Sequence, residues 1–486
     1  MRGLVDMTAV AGKLNASMAL LTIGRVLTIV MSLVTMMILT RGLEPAGFGF
    51  YRSIIAFLGL AGIVSYLGLH LIFVREFSRE GADQSALLGE ALGLRLVSAA
   101  LVLVAAAGLA WLFPYAAVVR WGILLGVPAF VAMAAHQLLT GVFQEKLRQG
   151  PPVAAEVAGG MLTLGLVLVM LQMGLGVIPV LGAFVAGNLL MLVISWWSAY
   201  RLVPFRLRAD VSVWRALLLP ALPIAGTQLL QQAYYKTDVI VLSLLRPAAE
   251  VGLYSVGRQI LDTFVGFALM YAGLMMPLLS RHAGKDPAAF ATQLREGFDT
   301  LAVGFVGAAL ATVAFAHPIA ALIGGSGFAA AGPSLQALAP LVALYPLCLL
   351  CRFAVTALDR QADLLRGYAV AAVLGIATFF AAVPWLGPIG AAAGLLVGET
   401  VVFVTVLRVL RRASGIGPSW TILGKALGCA ALAFLVARLP VVADLPWVLA
   451  AAITGVVYLV LLLLVGAVPA QLLAALPPQA KLALRR

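Results

Sequence analysis

Ser17-Met18-Ala19-Leu20-Leu21-Thr22-Ile23-Gly24-Arg25-Val26-Leu27-Thr28-Ile29-Val30-Met31-Ser32-Leu33-Val34-Thr35-Met36-Met37-Ile38-Leu39-Thr40 carries one formal charge, Arg25, in an otherwise uncharged and mostly apolar run. A helix of about 20 such residues crosses the hydrocarbon core of a bilayer, so this stretch reads as a membrane span. It is too long for the apolar core of a signal peptide and no Ala-x-Ala type site follows it, so the expectation is an uncleaved first span in a chain that starts near Met1. The pattern recurs at 51–73, 91–113, 119–143, 153–175, 178–200, 216–244, 251–280, 298–323, 333–357, 367–385, 389–407, 420–439 and 445–468. The sequence therefore predicts an all-α polytopic membrane protein of about 14 transmembrane helices. Composition agrees: over 486 residues, 63% are hydrophobic, 10% are charged and the mean hydropathy is +1.08, far from the balance of soluble domains.

The net charge of +13 raises nucleic acid as a partner, and its distribution argues against one. With the N-terminus in the cytoplasm, Arg41, Arg52, Arg120, Arg246 and Arg438 fall on the outer side and Arg25, Lys236, Arg258 and Arg352 at membrane depth. Every other Lys and Arg lies in or beside inner loops and tails. This is the positive-inside pattern, and it places both termini in the cytoplasm. The longer connections, 74–90, 144–152, 201–215, 281–297, 358–366 and 408–419, are all cytoplasmic and too short for a soluble catalytic domain. The activity is expected inside the helix bundle, and the chain is not expected to be an enzyme. Cys348-Leu349-Leu350-Cys351 has redox spacing, but within a continuous span it reads as packing. His70, His136, His282 and His317 share no ligand spacing, so neither a metal nor a cofactor is expected.

The first span ends in Pro45-Ala46-Gly47-Phe48-Gly49-Phe50-Tyr51 and the seventh in Pro247-Ala248-Ala249-Glu250-Val251-Gly252-Leu253-Tyr254. Both read as a tight outer turn closing on Gly-x-Tyr, the mark of a parallel internal repeat with substrate between its halves. Charges inside such spans cost roughly 2.5–3.5 kcal/mol each against lipid, which points to a polar interior. Arg25, Thr28, Ser32 and Thr35 share about 80° of one helix face. Gln228, Gln231, Tyr235 and Asp238 share another, with Lys236 projecting away, and Tyr254, Arg258 and Asp262 follow at i, i+4, i+8. These stripes suit an anionic headgroup held by Arg25, Arg258, Lys236, Arg352, Tyr235 and Gln231. Asp238, Asp262 and Glu399 are candidates for ion coupling, since a buried carboxylate can exchange a proton. Bland alternatives stay open. Arg258 and Asp262 can simply neutralise each other, Lys236 and Arg352 can snorkel, and Glu399, after the small-residue run Gly390-Ala391-Ala392-Ala393-Gly394, can bond a backbone group or a serine.

The fourteen spans, Leu43-Glu44-Pro45-Ala46-Gly47-Phe48-Gly49-Phe50-Tyr51, Tyr234-Tyr235-Lys236-Thr237-Asp238 leading into Val251-Gly252-Leu253-Tyr254-Ser255, and Gly390-Ala391-Ala392-Ala393 before Glu399 together resemble the polysaccharide or O-antigen flippases of the multidrug, oligosaccharidyl-lipid and polysaccharide exporter superfamily. The resemblance implies an N-terminal lobe over 1–200, a cytoplasmic linker over 201–215, a C-terminal lobe over 216–412, and two extra helices with a cytoplasmic tail over 413–486. It further implies a bacterial inner-membrane protein that moves an undecaprenyl-diphosphate-linked sugar repeat unit to the outer leaflet by alternating access. Its partners would be that polyprenyl-diphosphate-linked glycan, membrane lipids, glycosyltransferases and a polysaccharide polymerase. No ATP-binding motif is present, so energy would come from an ion gradient, membrane potential or substrate consumption. A lipid II flippase and an ion-coupled multidrug exporter of the same fold are the rival readings; a membrane enzyme lacks its outer loops, and a scaffold leaves the buried charges unexplained.

Overall fold

The computed structural model describes the backbone of residues 2–66 and 68–469; the side chains of residues 2–22, Arg25, Pro223, Ile224, Thr227, Gln228 and Ala233, and the tail beyond 469, lie outside the described residues. Among the described residues the regular structure is entirely helical: α1 (Arg2–Tyr66), α2 (Leu69–Phe77), α3 (Gln84–Leu109), α4 (Ala117–Glu145), α5 (Gly150–Gln172), α6 (Val177–Leu202), α7 (Val211–Leu245), α8 (Ala248–His282), α9 (Pro287–Ala314), α10 (Ala316–Gly324), α11 (Gly332–Ala357), α12 (Leu365–Leu386), α13 (Pro388–Ser414), α14 (Trp420–Ala437), α15 (Pro440–Ala443) and α16 (Trp447–Leu464), with short 3-10 turns between some of them. Twelve helical stretches among the described residues are long and apolar enough to cross a membrane. Two features reconcile this with the expected fourteen. α1 runs through Glu44 and merges the first two spans, and α7 stays outside the twelve because its apolar stretch among the described residues, Val211–Leu222, is shorter than a span.

The turn after the first span is compressed into one residue, Glu44, with φ 56° and ψ 172°. The ring of Pro45 forces the preceding residue to extended ψ, and a positive φ at a glutamate is strained. The matching turn is equally tight: Arg246 is extended, α8 starts one residue after Pro247, and Arg246 Nη2 lies 2.9 Å from Glu250 Oε1. The two turns touch reciprocally. A Cβ at Gly49 would lie 1.8 Å from Ala248 O, and one at Gly252 would lie 2.0 Å from Pro45 O. Only glycine permits that approach at either position.

The chain divides into two compact units, Met1–Gly252 and Leu253–Arg486. The division falls near the start of α8. In the first unit α7 packs on α1, α2 and α3, and the non-helical segment before it, 203–210, is a strap laid along α3. Ser85 Oγ donates to Pro204 O at 2.5 Å, Glu90 accepts from Asp210 N at 2.9 Å, and Trp214 Nε1 donates to Glu90 O at 3.1 Å. Gly89 and Gly93, one turn apart, let the strap carbonyls of Arg206 and Arg208 come within 2.0 and 2.3 Å of where a Cβ would stand. Val203 and Phe205 enter the core formed by Leu69, Phe73, Phe77, Leu92 and Phe143. Aspartates start three of the helices: Asp83 caps Ala86 N at 3.0 Å, Asp210 caps Ser212 N at 2.8 Å, and Asp286 caps Ala289 N at 3.0 Å.

In the second unit α11 lies between α9 and α13, and α12 packs on α13. A Cβ at Gly390 would meet the Ala382 backbone at 2.6 Å, which is the close approach that the small-residue run allows. The last two long helices attach through α9: α14 packs on α9 and α16, and Tyr458 Oη donates to Val303 O at 2.9 Å.

Candidate functional site: the buried charges of each unit

In the second unit, α8 places Arg258 and Asp262 one turn apart and Arg258 Nη1 bonds Asp262 Oδ1. The arginine side chain is sealed while the aspartate keeps 27% of its surface open, so this pair presents its anion outward. On α11 Arg352 bonds Glu399 Oε1 of α13 through Nη2, and both side chains are buried. Arg352 Nε lies 3.3 Å from Cys348 Sγ, and the guanidinium sits 5.2 Å from the Tyr345 ring centre and 5.9 Å from that of Tyr368 on α12. Tyr345 is also within electrostatic reach of Arg258, so the two ion pairs are neighbours.

The snorkelling alternative for Arg352 is corrected by this geometry. Withdrawing the guanidinium to the interface would strip two aromatic faces from it and leave Glu399 as a bare buried anion. Glu399 likewise turns to Arg352, not to a backbone group or serine alone.

In the first unit, Arg25 lies on α1 and Gln228 on α7, with both side chains outside the described residues. Two hydroxyls of the Arg25 stripe are spent inside the helix: Thr28 Oγ1 donates to Gly24 O at 2.6 Å and Thr35 Oγ1 to Met31 O at 2.8 Å. On α7, Tyr235 and Asp238 are buried and Gln231 is half-buried. Lys236 is half-buried too, and its ammonium lies 5.5 Å from the Tyr235 ring centre. The lysine expected to project away from the polar face thus bends back over it.

Comparison with known proteins bears on what such a chain is. Residues 14–282 match the family described as Polysaccharide biosynthesis protein. The chain belongs to that family. No curated protein matches its sequence. Among solved structures, the lipid II flippase MurJ in an inward closed conformation is similar over 92% of this chain and 97% of its own, with TM-score 0.70 and 13% identity. An inward-facing multidrug resistance MATE family transporter of the MOP superfamily is similar over 82% of this chain and 98% of its own, with TM-score 0.64 and 14% identity. A MOP superfamily transporter from Pyrococcus furiosus, described as having a binding pocket of reverse polarity that suggests a different function, gives TM-score 0.57 and 16% identity over 83% and 95% of the two chains. The fold is therefore that of MurJ and the MATE transporters, and both are transporters.

This polysaccharide biosynthesis protein also buries a cation that the sequence reading left among the cytoplasmic flanks. Arg95 of α3 is 4% exposed. It donates to Ala134 O (Nε, 3.2 Å), to Ser65 O (Nη1) and to Gln137 Oε1 (Nη2, 3.3 Å), and it lies 5.4 Å from the Tyr66 ring centre. Ser65 and Tyr66 close α1 just before the break at Gly68, whose φ is 63°. Arg95 therefore caps a broken helix end, where a cation also favours the dipole. A signal was present: Arg95 falls inside the expected span 91–113, two residues beyond Gly93, which receives the strap.

Proposed function

We propose that this protein moves an undecaprenyl-diphosphate-linked oligosaccharide repeat unit from the inner to the outer leaflet of a bacterial cytoplasmic membrane by alternating access, with both termini cytoplasmic. The reading is carried by one conjunction: a polysaccharide biosynthesis family on the fold of a lipid II flippase. Arg25 and Lys236 supply positive charge to the diphosphate, Arg258 joins them when the diphosphate displaces the Asp262 carboxylate from it, and Tyr235 and Gln231 supply aromatic and amide contacts to the sugar. Arg352 acts through its pair with Glu399 and not as a free ligand. The polyprenyl tail stays in lipid, and cytoplasmic glycosyltransferases and an outer-face polymerase stand before and after the step.

A multidrug exporter has support from the MATE fold. It needs a bare carboxylate for a cationic drug, and in the second unit Asp262 and Glu399 are each held by an arginine. Leaflet exchange of a fluorescent polyprenyl-diphosphate oligosaccharide in proteoliposomes tests the proposal. Wild-type protein is expected to exchange it, and Arg25→Ala/Arg258→Ala to lose the exchange while still inserting. Lipid II exchanged in preference to sugar repeat units would move the assignment to a lipid II flippase. Exchange of neither, alongside export of cationic dyes, would sink it.

A further inference from the structure

Three helices of the first unit bring together a polar triad that the proposed transport does not use. His136 of α4 is 7% exposed; its Nδ1 lies 2.7 Å from Ser195 Oγ on α6, and its Nε2 lies 3.4 Å from Glu156 Oε1 on α5. Ser195 is sealed, whereas the Glu156 side chain keeps 36% of its surface open. Counted from the helix ends at Glu145, Gly150 and Leu202, each residue sits roughly 9–14 Å inside its helix at the rise of an α-helix. All three therefore lie at similar height in the helices of the first unit.

The chemistry of the pair differs from that of the arginine-bound carboxylates. Arg258–Asp262 and Arg352–Glu399 are neutral without any exchangeable proton, because a guanidinium does not deprotonate. A neutral imidazole beside an ionised Glu156 carries one net negative charge, and one added proton, shared between Nε2 and Oε1, brings the pair to zero. In apolar surroundings the loaded pair is the better tolerated of the two. The serine hydroxyl fixes the ring through Nδ1, so that Nε2 is committed to the carboxylate.

Among the described residues, few charged or titratable groups lie near the triad. Arg95 of α3 bonds Ala134 O and Gln137 Oε1 on either side of His136 along α4. His70 of α2 faces Gln137 and Gln144, and α1 contributes the Tyr66 phenol beneath Arg95. On α6, Arg201 is drawn off to the helix end, 3.6 Å from the Trp197 ring centre.

We propose that His136 and Glu156 form a proton-binding site in the first unit, loaded through the half-buried Glu156 carboxylate, and that this proton is the ion coupled to transport. The coupling half rests on the transport reading above; the proton-binding half does not. Asp238, Asp262 and Glu399 are then not the loading groups.

Infrared difference spectra of the purified full-length protein, recorded between about pH 5 and pH 8 where histidine titrates, test the site directly. A carboxyl band and imidazole bands are expected together, and either Glu156→Gln or His136→Gln is expected to remove both, because the proton is shared. Ser195→Ala keeps the carboxyl band and perturbs the imidazole bands, which distinguishes a relay from general misfolding. Bands that survive both Gln substitutions would reduce the triad to a packing hydrogen bond and overturn the proposal. For coupling, the readout is the rate ratio of fluorescent lipid exchange with and without a pH step across the vesicle. It should exceed unity in the wild type and fall to unity in both variants. A pH response that persists in the variants, or is absent in an active wild type, overturns the coupling half. Wild-type protein that exchanges no probe counts against the transport reading, and the infrared bands alone then decide the site.

Discussion

Arg352 in the second unit and Arg95 in the first are each 4% exposed, yet their surroundings leave them with different charge. Arg352 bonds the Glu399 carboxylate and stacks among Tyr345 and Tyr368, so its neighbourhood is neutral overall. Arg95 bonds two backbone carbonyls and one side-chain amide, and no carboxylate is among its described partners. Its charge is only spread onto the end of a broken helix. Both arginines interrupt apolar stretches of sequence, Arg352 well within its expected span and Arg95 near the end of its own. Their partner sets separate a closed structural pair from a cation that still projects a field into its unit.

The largest effect should come from opening the closed pair. Glu399→Ala leaves a buried guanidinium without its anion and is expected to cost about 3–5 kcal/mol, whereas Arg352→Met/Glu399→Leu, which removes both charges and refills the space, should return to wild-type stability or exceed it. Thermal unfolding of the detergent-purified protein reads both. A harmless Glu399→Ala would mean the pair is not structural, and Arg352 would rejoin the substrate ligands.

Arg95 should respond in the opposite way to neutralisation. Arg95→Met deprives the carbonyls of Ser65 and Ala134 of a donor, at about 1–3 kcal/mol, and no second substitution can balance it because there is no carboxylate to remove. Hydrogen exchange should speed up across 69–77, the helix just beyond the break, while the second unit stays protected. Uniform exchange across both units would erase the distinction between the two arginines.

These contrasts mark where the sequence was readable. Helical spans and the two repeat turns are properties of local composition, and Pro45 and Pro247 announce their turns through fixed backbone geometry. The Gly49–Gly252 contact was half visible, as matched glycines with no way to know that each meets the other's turn. Arg258–Asp262 was legible because i, i+4 spacing is itself a contact rule. Arg352–Glu399 and His136–Glu156–Ser195 were not, since α4 to α6, or α11 and α13, meet through packing that no linear spacing encodes. Arg95 was missed for another reason: a charge near a span end looks like a flank until the strap and the broken helix are seen to bury it.

The smallest effect belongs to an ion cluster at the exposed extreme. At the end of α2, Arg75 lies 2.8 Å and Arg79 2.7 Å from the two Glu76 oxygens, with the arginine side chains 60% and 72% exposed. Hydrogen bonds from Arg75 and then Arg79 hold the Glu76 carboxyl below its usual value of 4.5. A depressed folded-state value means that the contribution to stability is complete above the unfolded value and disappears as pH falls through the folded one. Exposure limits its size to under about 1 kcal/mol, and salt screens what remains. Unfolding temperatures of wild type and Glu76→Gln should therefore differ slightly at neutral pH and low salt, converge as the solution is acidified below the usual carboxylate range, and converge again at high salt. The buried Arg352–Glu399 pair should keep its full effect at high salt, because no counterion reaches it. If the two clusters proved equally sensitive to salt, burial would not be what divides the paired charges of this protein into structural and superficial ones.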